Sequence, residues 1–244
     1  MIRVRISAAH GSTPRDAGAE MFVTPDRVTG TIGGGQLEYM AIDRARQMLA
    51  RNEAQARMDI PLGPEIGQCC GGRVVLTLDR GAPRTERRRQ ALVFGAGHVG
   101  RALAPALSVL PLDVTLIDSR PEELALAQGV TTRLTPIPEA ELRAARAGDI
   151  AIILTHDHAL DFLLAFEALS RGDLAYVGMI GSATKRARFA RFARGQGIDP
   201  APLICPIGSG GTPDKRPEFI AAFTMAEIAR LISQHSLNEQ TCDN

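Results

Sequence analysis

The first six residues, Met1-Ile2-Arg3-Val4-Arg5-Ile6, alternate apolar and charged side chains from Ile2 onward, the period of a strand with one buried face. Further short β-type runs at 4–8, 21–24, 28–32, 57–60 and 73–78 are joined by Gly, Pro and Asp turns and predict a strand-rich N-terminal block. One helix interrupts it. From about residue 36 to 49, Leu37, Met40, Ala41, Ala45 and Met48 recur at helical spacing, with Glu38 near the positive N-terminal end. Beyond residue 90 the pattern changes: nearly uniform apolar runs at 91–94, 114–117, 150–154 and 175–180, with a weaker one near 130–134, alternate with helical stretches. That is the signature of a parallel sheet covered by helices on both faces. A last helix is expected from 217 to about 233, carrying Phe219, Ile220, Phe223, Ala226, Ile228 and Leu231 on its apolar positions. The charged, Pro-containing segment 81–89 has no apolar period and separates the blocks. The expected organisation is an α+β domain over 1–82, a Rossmann-type α/β domain over 90–235, and a frayed polar tail over 236–244.

Composition narrows the function classes. With 45% hydrophobic residues the 244-residue chain can bury an ordinary core, so disorder is excluded. Its 28 basic and 27 acidic residues leave it nearly neutral, with no general attraction to nucleic acid or membrane surfaces. The absence of Trp, with two Tyr and eight Phe, also argues against base-stacking surfaces. No apolar run approaches the roughly 18 residues of a membrane span. No basic-then-apolar leader opens the chain, so a soluble cytoplasmic protein is expected. Four cysteines, two of them adjacent as Cys69-Cys70, do not form a disulfide framework, and reduced thiols are expected.

The sharpest chemical motif is Gly95-Ala96-Gly97-His98-Val99-Gly100, which follows a buried strand and opens a helix. In that context Gly95 permits the tight turn, Gly97 lets the backbone approach an anion, and Gly100 lets helix and strand pack closely. Free N–H groups then face a phosphate. Asp118, at the end of the next strand, stands where dinucleotide folds place an acid for a ribose hydroxyl, or else caps a turn. His98 either contacts the ligand or projects to solvent. Thr155-His156-Asp157-His158, followed by Asp161, ends the fourth strand of this block; its two histidines lack a third ligand of recognisable spacing, so ligand contact or helix capping is expected rather than metal. Gly178-Met179-Ile180-Gly181-Ser182 leads into a helix whose Lys185, Arg186, Arg188, Arg191 and Arg194 read as a solvated face. Its first turn differs, because Ser182 and Lys185 there could meet a second anionic group.

The other unusual segment is Gly67-Gln68-Cys69-Cys70-Gly71-Gly72. Buried cysteines are usually small hydrophobes. Glycines on both sides leave these thiols approachable and supply N–H groups that favour thiolate, the form that binds metals or carries sulfur. Two adjacent residues poorly chelate a lone zinc, so a soft metal presented by a ligand is the better partner.

Together with residues 11–15 (Gly-Ser-Thr-Pro-Arg) and 30–38 (Gly-Thr-Ile-Gly-Gly-Gly-Gln-Leu-Glu), these motifs span nearly the whole chain and resemble the xanthine dehydrogenase accessory proteins, the XdhC/CoxI family. The resemblance implies a molybdenum cofactor chaperone, not an enzyme: a protein that binds the molybdopterin-type cofactor, holds it while a cysteine desulfurase sulfurates it, and passes it to apo-xanthine dehydrogenase. It implies a cofactor-binding thiol in the Cys69-Cys70 pair, Cys69 ahead of Cys70, with Cys69 meeting the cofactor's molybdenum. It also implies cofactor contacts from Gln68, Gly34, Gly35, Gly95, Gly97, His98, Gly100, Asp118, His156, Ser182 and Lys185, and a homodimer. The runner-up is an NAD(P)-dependent oxidoreductase, which rests on the glycine loop and Asp118 alone. A third reading makes Cys69 itself a persulfide-forming sulfur carrier.

Overall fold

The computed structural model describes residues 1–64, 71–83, 88–210 and 214–242, giving the backbone alone for 235–242. It divides into two compact units, Met1–Glu86 and Arg87–Asn244.

In the first unit the alternation at the start of the chain becomes β1 (Ile2–His10), with Ile2, Val4 and Ile6 fully buried. It pairs antiparallel with β2 (Glu20–Val23) on one side and β5 (Arg73–Arg80) on the other. With β3 (Val28–Gly30) and β4 (Gln55–Pro61) they form a five-stranded sheet of order β3-β2-β1-β5-β4. Helix α1 (Gly35–Arg51) buries Leu37, Ala41, Ala45 and Met48 against it. Each fully buried Leu or Met there contributes about 1.5–3 kcal/mol. The third strand stops at Gly30, two residues short of expectation, because Ile32 turns into the core ahead of α1.

The second unit is a six-stranded parallel sheet of order β11-β10-β9-β6-β7-β8, built from β6 (Arg89–Phe94), β7 (Leu112–Asp118), β8 (Thr131–Leu134), β9 (Ile150–Ile153), β10 (Tyr176–Met179) and β11 (Leu203–Ile204). The order reverses between β6 and β9, the switch point at which doubly wound sheets bind ligands. Uniformly apolar strands feed two cores. Val93, Leu116 and Ile152 face α2 (His98–Leu107) and α7 (Pro217–Cys242), while Phe94, Ala151 and Ile153 face α4 (Glu139–Ala144), α5 (His158–Arg171) and α6 (Ala183–Gly195). A short α3 (Pro121–Ala125) links β7 to β8. The last helix runs to Cys242, through the stretch expected as a frayed tail, since no Gly or Pro interrupts it after Pro217. The two-residue β11 was not anticipated; it is too short to leave a period. Among the described residues no helix is long and apolar enough to cross a membrane.

Candidate functional site

Register places the second unit's motifs on one rim. Phe94 is level with Ile117 on β7 and Ile153 on β9, and Ile153 with Met179 on β10. The residues that follow, Gly95, Asp118, Leu154 and Ile180, therefore leave the sheet side by side. Gly95 (φ 115°) turns sharply, and a Cβ there would lie 2.3 Å from the carbonyl oxygen of Leu154 and 3.0 Å from Cα of Thr155. Gly100 sits tighter still, its Cβ position 1.9 Å from the Gly95 oxygen. At Gly97, by contrast, nothing lies within 4 Å. Gly97 is the N-cap of α2 and the helix has no side-chain cap, so its first amides face the space an anion would fill. His98, the first residue of α2, is exposed there.

Asp118 is engaged within the protein. Its Oδ2 accepts the Ala96 amide at 2.7 Å, and its two oxygens take the Arg120 guanidinium at 3.0 and 2.8 Å. The side chain is 4% exposed. The carboxylate braces the glycine loop because its own turn brings Arg120 back over it. Arg101 holds the other side of the loop, donating to the Ala96 oxygen at 2.6 Å and pairing with Glu123. Sequence reasoning missed Arg101, Arg120 and Glu123; the Asp-x-Arg spacing at 118–120 was the available signal.

Burial pushes the Asp118 carboxyl up, but the hydrogen bonds from Arg120 and the Ala96 amide outweigh it and hold it below the usual carboxylate range. A lowered native value contributes stability that is whole above the unfolded pKa of about 3.9 and is lost as pH falls through the native one. Asp118→Asn should therefore cost about 1–3 kcal/mol at pH 7, and the deficit should shrink below about pH 4. Urea denaturation at pH 7 and pH 3 checks this; an equal deficit at both would contradict it.

Further along the rim, Asp157 caps α5 by accepting from the amides of Ala159 and Leu160, and Ser182 caps α6 by accepting from that of Lys185. Asp161 is fully buried and accepts from the Thr155 amide at 3.0 Å and the Thr155 hydroxyl at 2.7 Å. Its other oxygen binds the Lys185 ammonium, so the charge expected to meet a ligand is committed within the protein. A cavity of about 420 Å³ opens here, lined by Thr155, His158 and Phe162 on one side and Ser182, Lys185 and Arg188 on the other. His156, expected as a contact, is exposed and outside its lining, whereas His158, first residue of α5, is in it. Ser182, Lys185 and Arg188, spaced three apart on one helix face, were the signal for Arg188. Among the described residues no group of three His, Cys, Asp or Glu side chains could hold a metal.

The first unit gathers its motifs separately. The Gly33 Cβ position would fall 2.5 Å from Cγ of Pro14, and that of Gly72 2.2 Å from the Ser12 oxygen, so residues 11–15 touch both other segments. The loop beyond Leu62 is closed at its root, where Leu62 exchanges backbone hydrogen bonds with Gly71 and Gly72. Gln68, Cys69 and Cys70 lie outside the described residues. Gly34 caps α1 and Gly35 opens it, and the Gly34 amide donates to Glu38. Burial raises the Glu38 carboxyl, yet hydrogen bonds from the Thr31 hydroxyl and the amides of Ile32, Gly34 and Gly33 prevail and hold it below the ordinary range.

Residues 91–228 match a family model described as the XdhC Rossmann domain, and residues 1–60 one described as the XdhC and CoxI family. The chain is 28% identical over 239 residues to an uncharacterized protein, YqeB, of Escherichia coli (strain K12). The match covers 93% of this chain and 42% of that one, so this chain spans less than half of the curated relative's length. A crystal structure described as a xanthine dehydrogenase from Bacillus halodurans has the same fold, with a TM-score of 0.78 at 18% identity over 96% of this chain and 91% of that one.

Proposed function

This chain belongs to the XdhC and CoxI family, and from that membership we propose that it is a cytoplasmic accessory protein of xanthine dehydrogenase maturation. It binds molybdenum cofactor as a homodimer, holds it for sulfuration by a cysteine desulfurase, and delivers it to the apo-dehydrogenase without turnover of its own. One observation supports this reading: the head of α2 has no side-chain cap and is open above Gly97, which suits a terminal phosphate, and its neighbouring acid is spent on bracing the loop. A nicotinamide dinucleotide would want Asp118 for its ribose hydroxyls, which disfavours an oxidoreductase.

The first unit, taken by itself, offers a thiol. Residues 11–15 and 72 stand at the root of the loop that carries Cys69 and Cys70, and a thiolate suits a soft metal better than oxygen ligands do. When bound, the cofactor supplies the molybdenum centre that the client dehydrogenase uses. The chain's own part is to hold the phosphate at the amides of residues 98–100, keep the loop in shape through Asp118 and Arg101, and present a thiol.

Protein purified from cells that make the cofactor should carry molybdenum and pterin, and Cys69→Ala should lose both while melting at an unchanged temperature. An insoluble or unfolded variant would mark the thiol as structural. Tight binding of NAD(H) with hydride transfer, and no retained pterin, would overturn the proposal.

A further inference from the structure

A ligand whose phosphate sits at residues 95–100 has two directions in which to extend its ring-bearing end along the rim. Toward β7 the way is closed, because Arg120 lies over Asp118 and the two side chains are 26% and 4% exposed. Toward β9 and β10 stands a cavity. Gly95 rests against Leu154 and Thr155, and Thr155 is also a wall of the cavity of about 420 Å³ between α5 and α6. A wall of the cavity thus adjoins the first glycine of the phosphate loop. The volume is within the range of about 300–1,000 Å³ typical of small-molecule sites.

The lining is selective in chemistry. Phe162 offers an apolar face, held by an edge-on contact with Phe189 at 5.3 Å between ring centres. Lys185 and Asp161 neutralise one another at the base, so neither attracts a ligand charge. Arg188 and His158, however, make no ion pair or side-chain hydrogen bond among the described residues. A guanidinium presents five N–H donors in a plane, matched to the carbonyl and nitrogen edge of a heterocycle and able to stack on it.

We infer that this cavity receives the ring end of a phosphorylated planar heterocycle, with Phe162 against its face and Arg188 and His158 donating to its edge. The inference rests on the phosphate placement proposed above. The same chemistry belongs to a pterin and to a nicotinamide, and the two sources are separable by experiment.

Wild-type protein and the variants Arg188→Ala, Thr184→Phe and Arg191→Ala would be compared for retention of molybdenum cofactor through gel filtration and for NADH binding by fluorescence. Thr184 lines the cavity from the exposed first turn of α6, so Phe fills the space without entering the core. Arg191 is on the same helix but outside the lining, and controls for lost charge. Whichever probe wild type binds, Arg188→Ala should weaken it about tenfold or more, the loss of a charged hydrogen bond. Thr184→Phe should abolish binding, Arg191→Ala should leave it unchanged, and melting curves should show all three folded. NADH binding lost in Thr184→Phe, without cofactor retention, supports the cavity and overturns the maturation role. Cofactor retained equally by wild type, Arg188→Ala and Thr184→Phe overturns the cavity and leaves the role standing. Wild type that binds neither probe overturns the inference.

Discussion

Replacing Lys185 with Met is expected to destabilise the second unit by about 3–5 kcal/mol, the cost of removing one member of a buried ion pair. Its side chain is 11% exposed and that of Asp161 0%, so the substitution leaves a carboxylate in the interior with no cation to balance it. The loss should appear as a fall in melting temperature on the order of 10 °C for a unit of this size. Adding Asp161→Asn should restore much of it, because the carboxamide oxygen can still accept from the Thr155 amide and hydroxyl while the buried charge is gone. A Lys185→Met loss below about 1 kcal/mol would show that water reaches the pair and screens it. No recovery in the double variant would mean that Lys185 acts through packing rather than charge.

Gly100→Ala and Gly97→Ala should separate folding from binding at the same loop. An added methyl at Gly100 would overlap the Gly95 oxygen, 1.9 Å away, and press on the Leu154 side chain at 3.0 Å. To admit it, α2 must retreat from β6, at about 1–3 kcal/mol or more for overpacking a rigid contact, and the first-turn amides lose their aim. At Gly97 (φ −65°) a methyl meets nothing and the backbone suits any residue, so the fold should survive unchanged. That methyl occupies the phosphate seat instead. Both variants should purify without pterin, but only Gly100→Ala should melt earlier. Gly97→Ala protein that retained pterin at the wild-type level would remove the loop from the site.

The architecture was largely legible because it depends on period. Alternation at Ile2, Val4 and Ile6 could only be a half-buried strand, and the uniform run 150–154 only a strand covered on both faces or part of a buried helix, a choice its length decides. The glycine loop was legible for the same local reason: Gly95, Gly97 and Gly100 at fixed offsets between strand and helix specify a backbone path. Asp118 shows the limit. Its bond with Arg120, two residues on, is local, whereas the Ala96 amide, 22 positions back, reaches it only because β7 lies beside β6.

By itself, then, the chain determined two blocks, their sheet types and the path of the loop at 95–100, since local sterics and hydrophobic spacing act over a few residues. What only the tertiary structure decided is which polar groups remain for a ligand. Asp161 and Lys185 stand 24 positions apart and cancel, whereas Arg188, three residues beyond Lys185, stays uncompensated among the described residues. Charge compensation is settled by distance in space under a low dielectric, and no spacing along a chain encodes it.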